Sequence, residues 1–406
     1  MSTEHLPILP GSTSGGRLAT LGVLGGGQLG GMFVQAAQRL GFRTVVLDPD
    51  GISPAGQIAH HHIETAYADA DGVAALARLC DAVTTEFENV PAQTLDILAT
   101  QVRVSPQANA VAVAQDRVLE KSHLARVAEI SGVGPGPWTA LPAGSACPTL
   151  PEAHFPAIVK TARLGYDGKG QASVAQASDL ALTWAQMGEV DCVVEKRLDL
   201  RDEISVIVAR GFDGAMVHLP VQRNWHHQGI LAQTEVAPSL VDEGLAQQAI
   251  EAAQAIARSL AYVGVLCVEF FIVNDGSPQG QLVVNEIAPR PHNSGHYSLD
   301  ACDISQFELQ VRTLAALPLP TPRLHGAAVM LNLLGDVWFD RDALRTPPWD
   351  AVLALPGVHL HLYGKIEARI GRKMGHINVT GDDIQAVRAT AQRVVELLGL
   401  PQRDTA

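Results

Sequence analysis

The chain has no apolar run near the roughly 20 residues that a membrane-spanning helix requires, so a helical membrane protein is excluded. Basic residues are scarce: 29 Lys and Arg stand against 42 Asp and Glu, a formal net charge of -13. A chain this acidic repels a polyphosphate backbone at long range, so nucleic acid is not an expected partner. Cysteine is also sparse. Cys80, Cys147, Cys192, Cys267 and Cys302 are scattered, and none forms a CxxC pair. That spacing argues against a disulfide framework and fits a reducing cytoplasm. Two of the five sit inside apolar runs, where a free buried thiol is the ordinary reading. Internal repeats and low-complexity segments are lacking as well. The first 17 residues are rich in Ser, Gly and Pro and lack an apolar stretch, so a flexible leader is expected there and not a signal peptide.

What is present is globular material. Hydrophobic residues make up 47% of 406, enough for two or three domains with their own cores. Leu18 to Leu24 reads as a strand, and Gly25-Gly-Gly-Gln-Leu-Gly30 follows it. A helical pattern then runs from Met32 to Leu40, and a second strand, Thr44 to Leu47, ends at Asp48. This βαβ unit opens a Rossmann-like α/β domain expected over 18–115. Asp116 to Ile130 is helical in pattern, and the Gly/Pro-rich stretch Gly132 to Pro156 reads as a hinge or loop. Strands are expected at Pro156 to Lys160, Cys192 to Lys196, Glu203 to Ala209, Val263 to Val273 and Gln281 to Ile287. The middle domain is placed at 116–316, with a lid at about 135–210, and a smaller C-terminal domain at 317–406. The fold class is α/β with α+β elements.

The Gly25-x-Gly27-x-x-Gly30 loop fits a dinucleotide fingerprint, and Asp48 falls near the ribose-binding acid. Its physics is only close backbone approach beside a helix N-terminus. From these residues alone a nicotinamide cofactor, another phosphorylated ligand and a purely structural turn all stay open. A second glycine loop comprises Gly165, Tyr166, Asp167, Gly168, Lys169, Gly170 and Gln171, after the strand that carries Lys160. It is not a Walker loop, but it is flexible and rich in backbone donors, so it can fold over a triphosphate. Glu195 ends an apolar strand and could bond a base amine or a ribose hydroxyl.

Two further carboxylates are more telling. Glu269 lies in Val265 to Val273 and Glu286 in Leu282 to Ile287, both apolar strands. A charge in such a strand is costly unless it is paired or bound to metal. Two carboxylates with an Asn amide make a hard oxygen site suited to Mg²⁺. Arg290, His292, Asn293 and His296 follow on a Pro/Gly loop, where Arg and protonated His suit a small planar anion. A metal site made from His292 and His296 competes with that reading. The run His60, His61, His62 points three ways on a strand or helix and reads as surface.

Read together, Lys160, the loop 165–171, Glu195-Lys196, Glu269 and Asn285-Glu286 resemble the ATP-grasp superfamily. Within it the chain is similar to the N5-carboxyaminoimidazole ribonucleotide synthetases. Gly25–Gly30, Thr85–Asn89, Gln115–Lys121, Asn224–Ile230, Asn285–His296, Tyr363–Lys365 and Gly371–His376 carry that likeness in order. The resemblance implies ATP, Mg²⁺, bicarbonate and 5-aminoimidazole ribonucleotide (AIR) as ligands, and a homodimer. It implies ATP contacts from Arg117, Lys160, the loop Gly165–Gln171, Glu195, Lys196, Arg197, Leu198, Glu203, His226, Asn285 and Glu286. Glu269 and Glu286 would hold Mg²⁺. Arg290, His292 and Asn293 would bind bicarbonate and carboxyphosphate, and Asp167 would assist proton removal. Gln28, Leu29, Glu86, Tyr166, Lys365 and Arg372 would hold the ribonucleotide. The implied reaction is an ATP-dependent carbon–nitrogen ligation of purine biosynthesis; a formate-dependent glycinamide ribonucleotide transformylase and an NAD-dependent oxidoreductase are the alternatives. The stretch Leu141–His154 matches no motif and reads as an insertion.

Overall fold

The computed structural model describes residues 6–14, 16–165, 170–341 and 343–403. Short runs at Thr20–Leu24 (β1), Arg43–Leu47 (β2), His61–Ile63 (β3), Ala82–Thr85 (β4) and Arg103–Val104 (β5) form a parallel sheet, in the order β3-β2-β1-β4-β5, with apolar and β-branched residues filling its three central strands. Helices cover both faces of it, and every residue of β1 is buried, as a parallel sheet requires. Helix α1 (Gln28–Arg39) starts four residues earlier than its apolar pattern indicates. Gly30 and Gly31 sit inside its first turns and let it pack closely on its neighbours.

Helix α2 (Arg117–Ser131) is capped by the Asp116 carboxylate, which accepts from the amides of Val118 and Leu119. An antiparallel sheet follows, built from Trp138–Leu141 (β6), Ala157–Thr161 (β7), Gln171–Val174 (β8) and Cys192–Lys196 (β9), in the order β8-β7-β9-β6. Strand β6 corrects the reading of Gly132 to Pro156 as loop alone. Prolines at 135, 137 and 142 flank the four-residue Trp-Thr-Ala-Leu run and hide it, yet it pairs with β9 from Glu195↔Trp138 to Cys192↔Leu141.

The largest sheet is antiparallel. Leu200–Arg210 (β10), Gln222–His227 (β11), Ile230–Val236 (β12), Gly264–Val273 (β13), Gln281–Ala288 (β14), Ala327–Leu334 (β15), Val358–Leu362 (β16) and Lys373–Gly381 (β17) run in the order β14-β13-β10-β11-β12-β15-β17-β16. Its core packs Val206, Val268 and Phe270 against Leu124 of α2 and against Ala249, Ala253 and Ile256 of helix α3 (Glu243–Ser259). The sheet passes into the C-terminal region without a break, because β15 pairs with β12. Helix α4 (Gln306–Leu314) returns to the first domain, where Val311 and Leu314 join the core of α1 through Phe33 and Val34.

Candidate active site

A cavity of about 830 Å³ opens where the three regions meet. Its walls include Gln28 and Glu86, Arg117 and Lys160, Glu269 and Glu286, Arg290, His292 and Asn293, and Lys365 with Arg372.

The acid pair is positioned by a β-bulge. Glu269 on β13 faces Glu286 on β14, but the next residue, Phe270, faces Val284. Asn285 is therefore the extra residue, and its insertion brings the two carboxylates opposite each other. Burial and the Glu286 charge push the Glu269 carboxyl up to about 7. Burial also works against Glu286, but Arg117 and Lys160 overcome it and hold that carboxyl down at about 2. Arg117 Nη1 donates to Glu286 Oε2 at 3.0 Å. The side-chain oxygen of Asn285 is buried with no hydrogen-bond partner. Two crowded carboxylates and an unsatisfied amide oxygen fit a hard divalent cation such as Mg²⁺.

Cations gather behind this pair. Lys160 Nζ and Lys121 Nζ approach Glu195 Oε2 at 3.1 and 3.2 Å, and Lys121 also donates to the Asn285 carbonyl at 2.7 Å. Glu203 and His226 pair at 2.5 Å on neighbouring strands. Burial alone pushes the His226 imidazole down, but Glu203, Glu269 and Glu286 outweigh it and raise it overall.

Arg290 leaves the end of β14 and forms a two-point ion pair with Glu88, from the segment after β4. Burial opposes the guanidinium charge, and Glu88 more than restores it. His292 Nε2 lies 3.2 Å from Glu269 Oε1, and its Nδ1 lies 2.9 Å from Ser294 Oγ. Burial, reinforced by Arg290 and Lys373, keeps this imidazole far below its ordinary value. The expectation of a protonated His292 is thereby corrected: it is a neutral ring beside a charged Arg. Asn293 is buried, and its amide nitrogen has no partner. His296 bonds Gln306 and packs at a tilt against His376, with ring centres 4.7 Å apart.

On the far wall, Lys365 Nζ donates to Gln28 Oε1 at 2.8 Å and to the Lys373 carbonyl at 2.7 Å. Burial, and then the charge of Arg372, lower this ammonium to about 8. The Gly25–Gly30 loop is already engaged. Glu86 accepts from the amides of Gly27 at 2.5 Å and Leu29 at 3.1 Å, while Asp48 accepts from Gly26 at 2.6 Å. Asp48 also accepts from Tyr67, so it ties the loop down and is not presented to a ribose. A Cβ on Gly30 would stand 2.5 Å from the Gly25 carbonyl oxygen, backbone that cannot swing aside, which is why this position needs glycine. Glu86 thus faces the helix N-terminus and also lines the cavity, and burial outweighs the loop amides and raises its carboxyl above the usual range.

Gly165, Gly170 and Gln171 line the cavity, whereas Tyr166, Asp167, Gly168 and Lys169 lie outside the described residues. Glu195, Lys196, Arg197 and Leu198 do not line it. Glu195 stands behind Lys160, and the amides of Lys196 and Arg197 donate to the carbonyls of Pro137 and Pro156. His60 and His62 bond the Thr44 amide and the Asp48 carbonyl, so the histidine run is structural.

Sequence reasoning missed Glu88, Glu120 and Lys121. Glu120 Oε1 accepts from the Ile287 amide at 2.7 Å, and burial raises its carboxyl to about 7. A signal for the last two exists. Positions 117, 120, 121 and 124 share one helical face with buried Leu124 and Val127, so charges on that stripe must point inward.

Comparison with known proteins agrees with this geometry. Family models match in three consecutive blocks: a ribonucleotide synthetase preATP-grasp domain over 18–115, an ATP-grasp domain over 138–307, and a phosphoribosylaminoimidazole carboxylase C-terminal domain over 328–390. The fold and site define an ATP-grasp ligase. The N5-carboxyaminoimidazole ribonucleotide synthase of Brucella melitensis is 40% identical over 362 residues, covering 88% of this chain and 95% of that one. The enzyme of the same name from Staphylococcus aureus is 38% identical over 376 residues, covering 90% and 94%. A crystal structure of an N5-carboxyaminoimidazole ribonucleotide synthetase with ADP superposes with a TM-score of 0.84 at 34% identity, covering 97% and 98% of the two chains. An Aspergillus clavatus N5-carboxyaminoimidazole synthase with ADP and 5-aminoimidazole ribonucleotide gives 0.81 at 27% identity, covering 94% and 98%. The chain belongs to the N5-carboxyaminoimidazole ribonucleotide synthase family.

Proposed function

We infer that this chain carboxylates 5-aminoimidazole ribonucleotide, consuming ATP and bicarbonate and yielding N5-carboxyaminoimidazole ribonucleotide, ADP and phosphate. The observation that carries this reading is one cavity lined by three sites: an acid pair, a charged Arg beside a neutral His, and a Lys/Arg pair.

Lys160 and Arg117 would meet the nucleotide phosphates, and the loop 165–171 would cover them from the lid at about 135–210. Glu269, Glu286 and the Asn285 oxygen would hold Mg²⁺. When bound, that ion neutralises charge on the transferred phosphoryl group. Arg290 and the free amide of Asn293 supply donors for bicarbonate and for the carboxyphosphate made from it. A site closed to water limits loss of that mixed anhydride to hydrolysis. Lys365 and Arg372 face Gln28 and suit the ribonucleotide phosphate, and Asp167 is assigned the proton taken from the attacking amine. A homodimer in a reducing cytoplasm completes the proposal.

The test is ATP hydrolysis measured while each reactant is withheld in turn. Turnover should need both AIR and bicarbonate. An equal rate without AIR, or with formate replacing bicarbonate, would overturn the assignment. The oxidoreductase reading loses its basis, because the chain belongs to a ligase family over nearly its whole length.

A further inference from the structure

One thiol stands against the acid pair. Cys267 and Glu269 are two residues apart on β13, so their side chains share a face of the sheet. His292 arrives from the loop that leaves the neighbouring strand. One sulfur, one carboxylate oxygen and one ring nitrogen from these three residues lie within 4.8 Å of one another. Glu269 Oε1 and His292 Nε2 are only 3.2 Å apart. Among the described residues no other group of three or more His, Cys, Asp or Glu is drawn together in this way.

The sulfur changes which ion the site suits. Magnesium takes hard oxygen ligands in octahedral geometry. A thiolate, an imidazole and one carboxylate suit four-coordinate zinc, with the fourth position open to water. Glu269 and His292 line the cavity, so an ion can reach them from it, and Cys267 closes the site from behind. Ser294 Oγ, 2.9 Å from His292 Nδ1, holds the ring in place, as the outer partner of a metal-bound histidine does.

We propose that Cys267, Glu269 and His292 form a second cation site, selective for zinc over magnesium. On binding, the Cys267 thiol gives up its proton to solvent as the zinc–sulfur bond forms. The imidazole donates a nitrogen lone pair and Glu269 a carboxylate oxygen. Occupancy takes Glu269 away from the nucleotide's metal, so zinc inhibits turnover. That consequence rests on the role assigned to Glu269 above; the binding itself does not.

The experiment titrates the metal-stripped full-length chain with Co²⁺ as a spectroscopic stand-in for zinc. The parent chain should develop a near-ultraviolet thiolate-to-cobalt band and the strong visible absorption of four-coordinate cobalt, and Zn²⁺ should displace both. Cys267→Ser, which keeps the side chain's size, and Cys267→Ala should each lack the thiolate band. Both should turn over with magnesium, ATP, AIR and bicarbonate as the parent does. Their zinc inhibition constants should rise by at least about tenfold. A thiolate band that persists in both variants, or that never forms in the parent, overturns the site. A thiolate band confined to the parent, with zinc inhibition equal in all three proteins, keeps the site and removes the inhibitory consequence drawn from it.

Discussion

Replacing Glu269 by Gln should stabilise the metal-free protein, and only above mildly acidic pH. Burial and the facing Glu286 raise the Glu269 carboxyl to about 7 in the folded chain. An unfolded glutamate titrates at about 4.3. Between those values the folded state holds a proton that the unfolded state has lost, so stability falls as pH rises through the window. At about 1.4 kcal/mol per unit, the ceiling on this cost is roughly 4 kcal/mol above pH 7. Coupling to Glu286 and local rearrangement bring the expected figure to about 1–3 kcal/mol. Gln keeps the side chain's size and carries no charge. Urea unfolding in chelator, from pH 5 to 8.5, should therefore show little difference at pH 5 and a growing advantage for the variant toward pH 8. Added Mg-ADP should reverse the order, since a ligand at 100 times its Kd stabilises the parent by about 2.7 kcal/mol and a variant that cannot bind it gains nothing. A variant less stable than the parent at pH 8, or a difference independent of pH, would refute the electrostatic reasoning.

Two further outcomes are expected. Lys365 titrates at about 8, so its cation is lost above that pH and the KM for the ribonucleotide should climb there. Lys365→Arg should flatten that rise, and Lys365→Met should raise KM by roughly 10- to 100-fold at neutral pH, the value of one charged hydrogen bond; a KM unchanged in the Met variant would remove Lys365 from the phosphate site. Lys121→Met deletes a fully buried cation that joins Glu195 to the Asn285 carbonyl. Lys160 still faces Glu195, so the loss should be about 2–4 kcal/mol in urea unfolding, below the full cost of a widowed buried charge.

The legible parts of this fold are those where one period rules. The parallel strands β1, β2 and β4 are short runs rich in Val, Leu and Thr, closed by glycine, acid or turn residues, and such runs leave little room for another reading. Strand β6 escaped because four residues between prolines carry no period of their own; it is a strand through its partner β9. The acid pair was visible because a charge in an apolar strand is conspicuous. Its alignment was not, because the bulge at Asn285 exists only in the pairing register. Glu88 was hidden for another reason. It lies in a short segment after β4, and its partner Arg290 is 202 residues away. The neutrality of His292 was likewise out of reach, since burial beside Arg290 and not the residue type decides it.

The pairing of these groups also explains why an acidic chain can build an anion site. Each cation in the cavity wall that is suited to phosphate or bicarbonate has an internal carboxylate or carbonyl: Arg117 has Glu286, Lys160 has Glu195, Arg290 has Glu88, and Lys365 has the Gln28 and Lys373 oxygens. The loop amides at Gly26, Gly27 and Leu29 are held by Asp48 and Glu86 in the same way. Buried cations left alone would be costly, so the empty site must carry its own counter-charges. An incoming anion then exchanges with a carboxylate and does not meet a bare positive field. Such an exchange gives little long-range attraction, and under the proposed function selectivity would come from geometry: a planar bicarbonate at Arg290, a phosphate at Lys365, and an ion between Glu269 and Glu286. The acidic composition that argues against a nucleic-acid partner is, inside the cavity, what keeps the cations charged and in place.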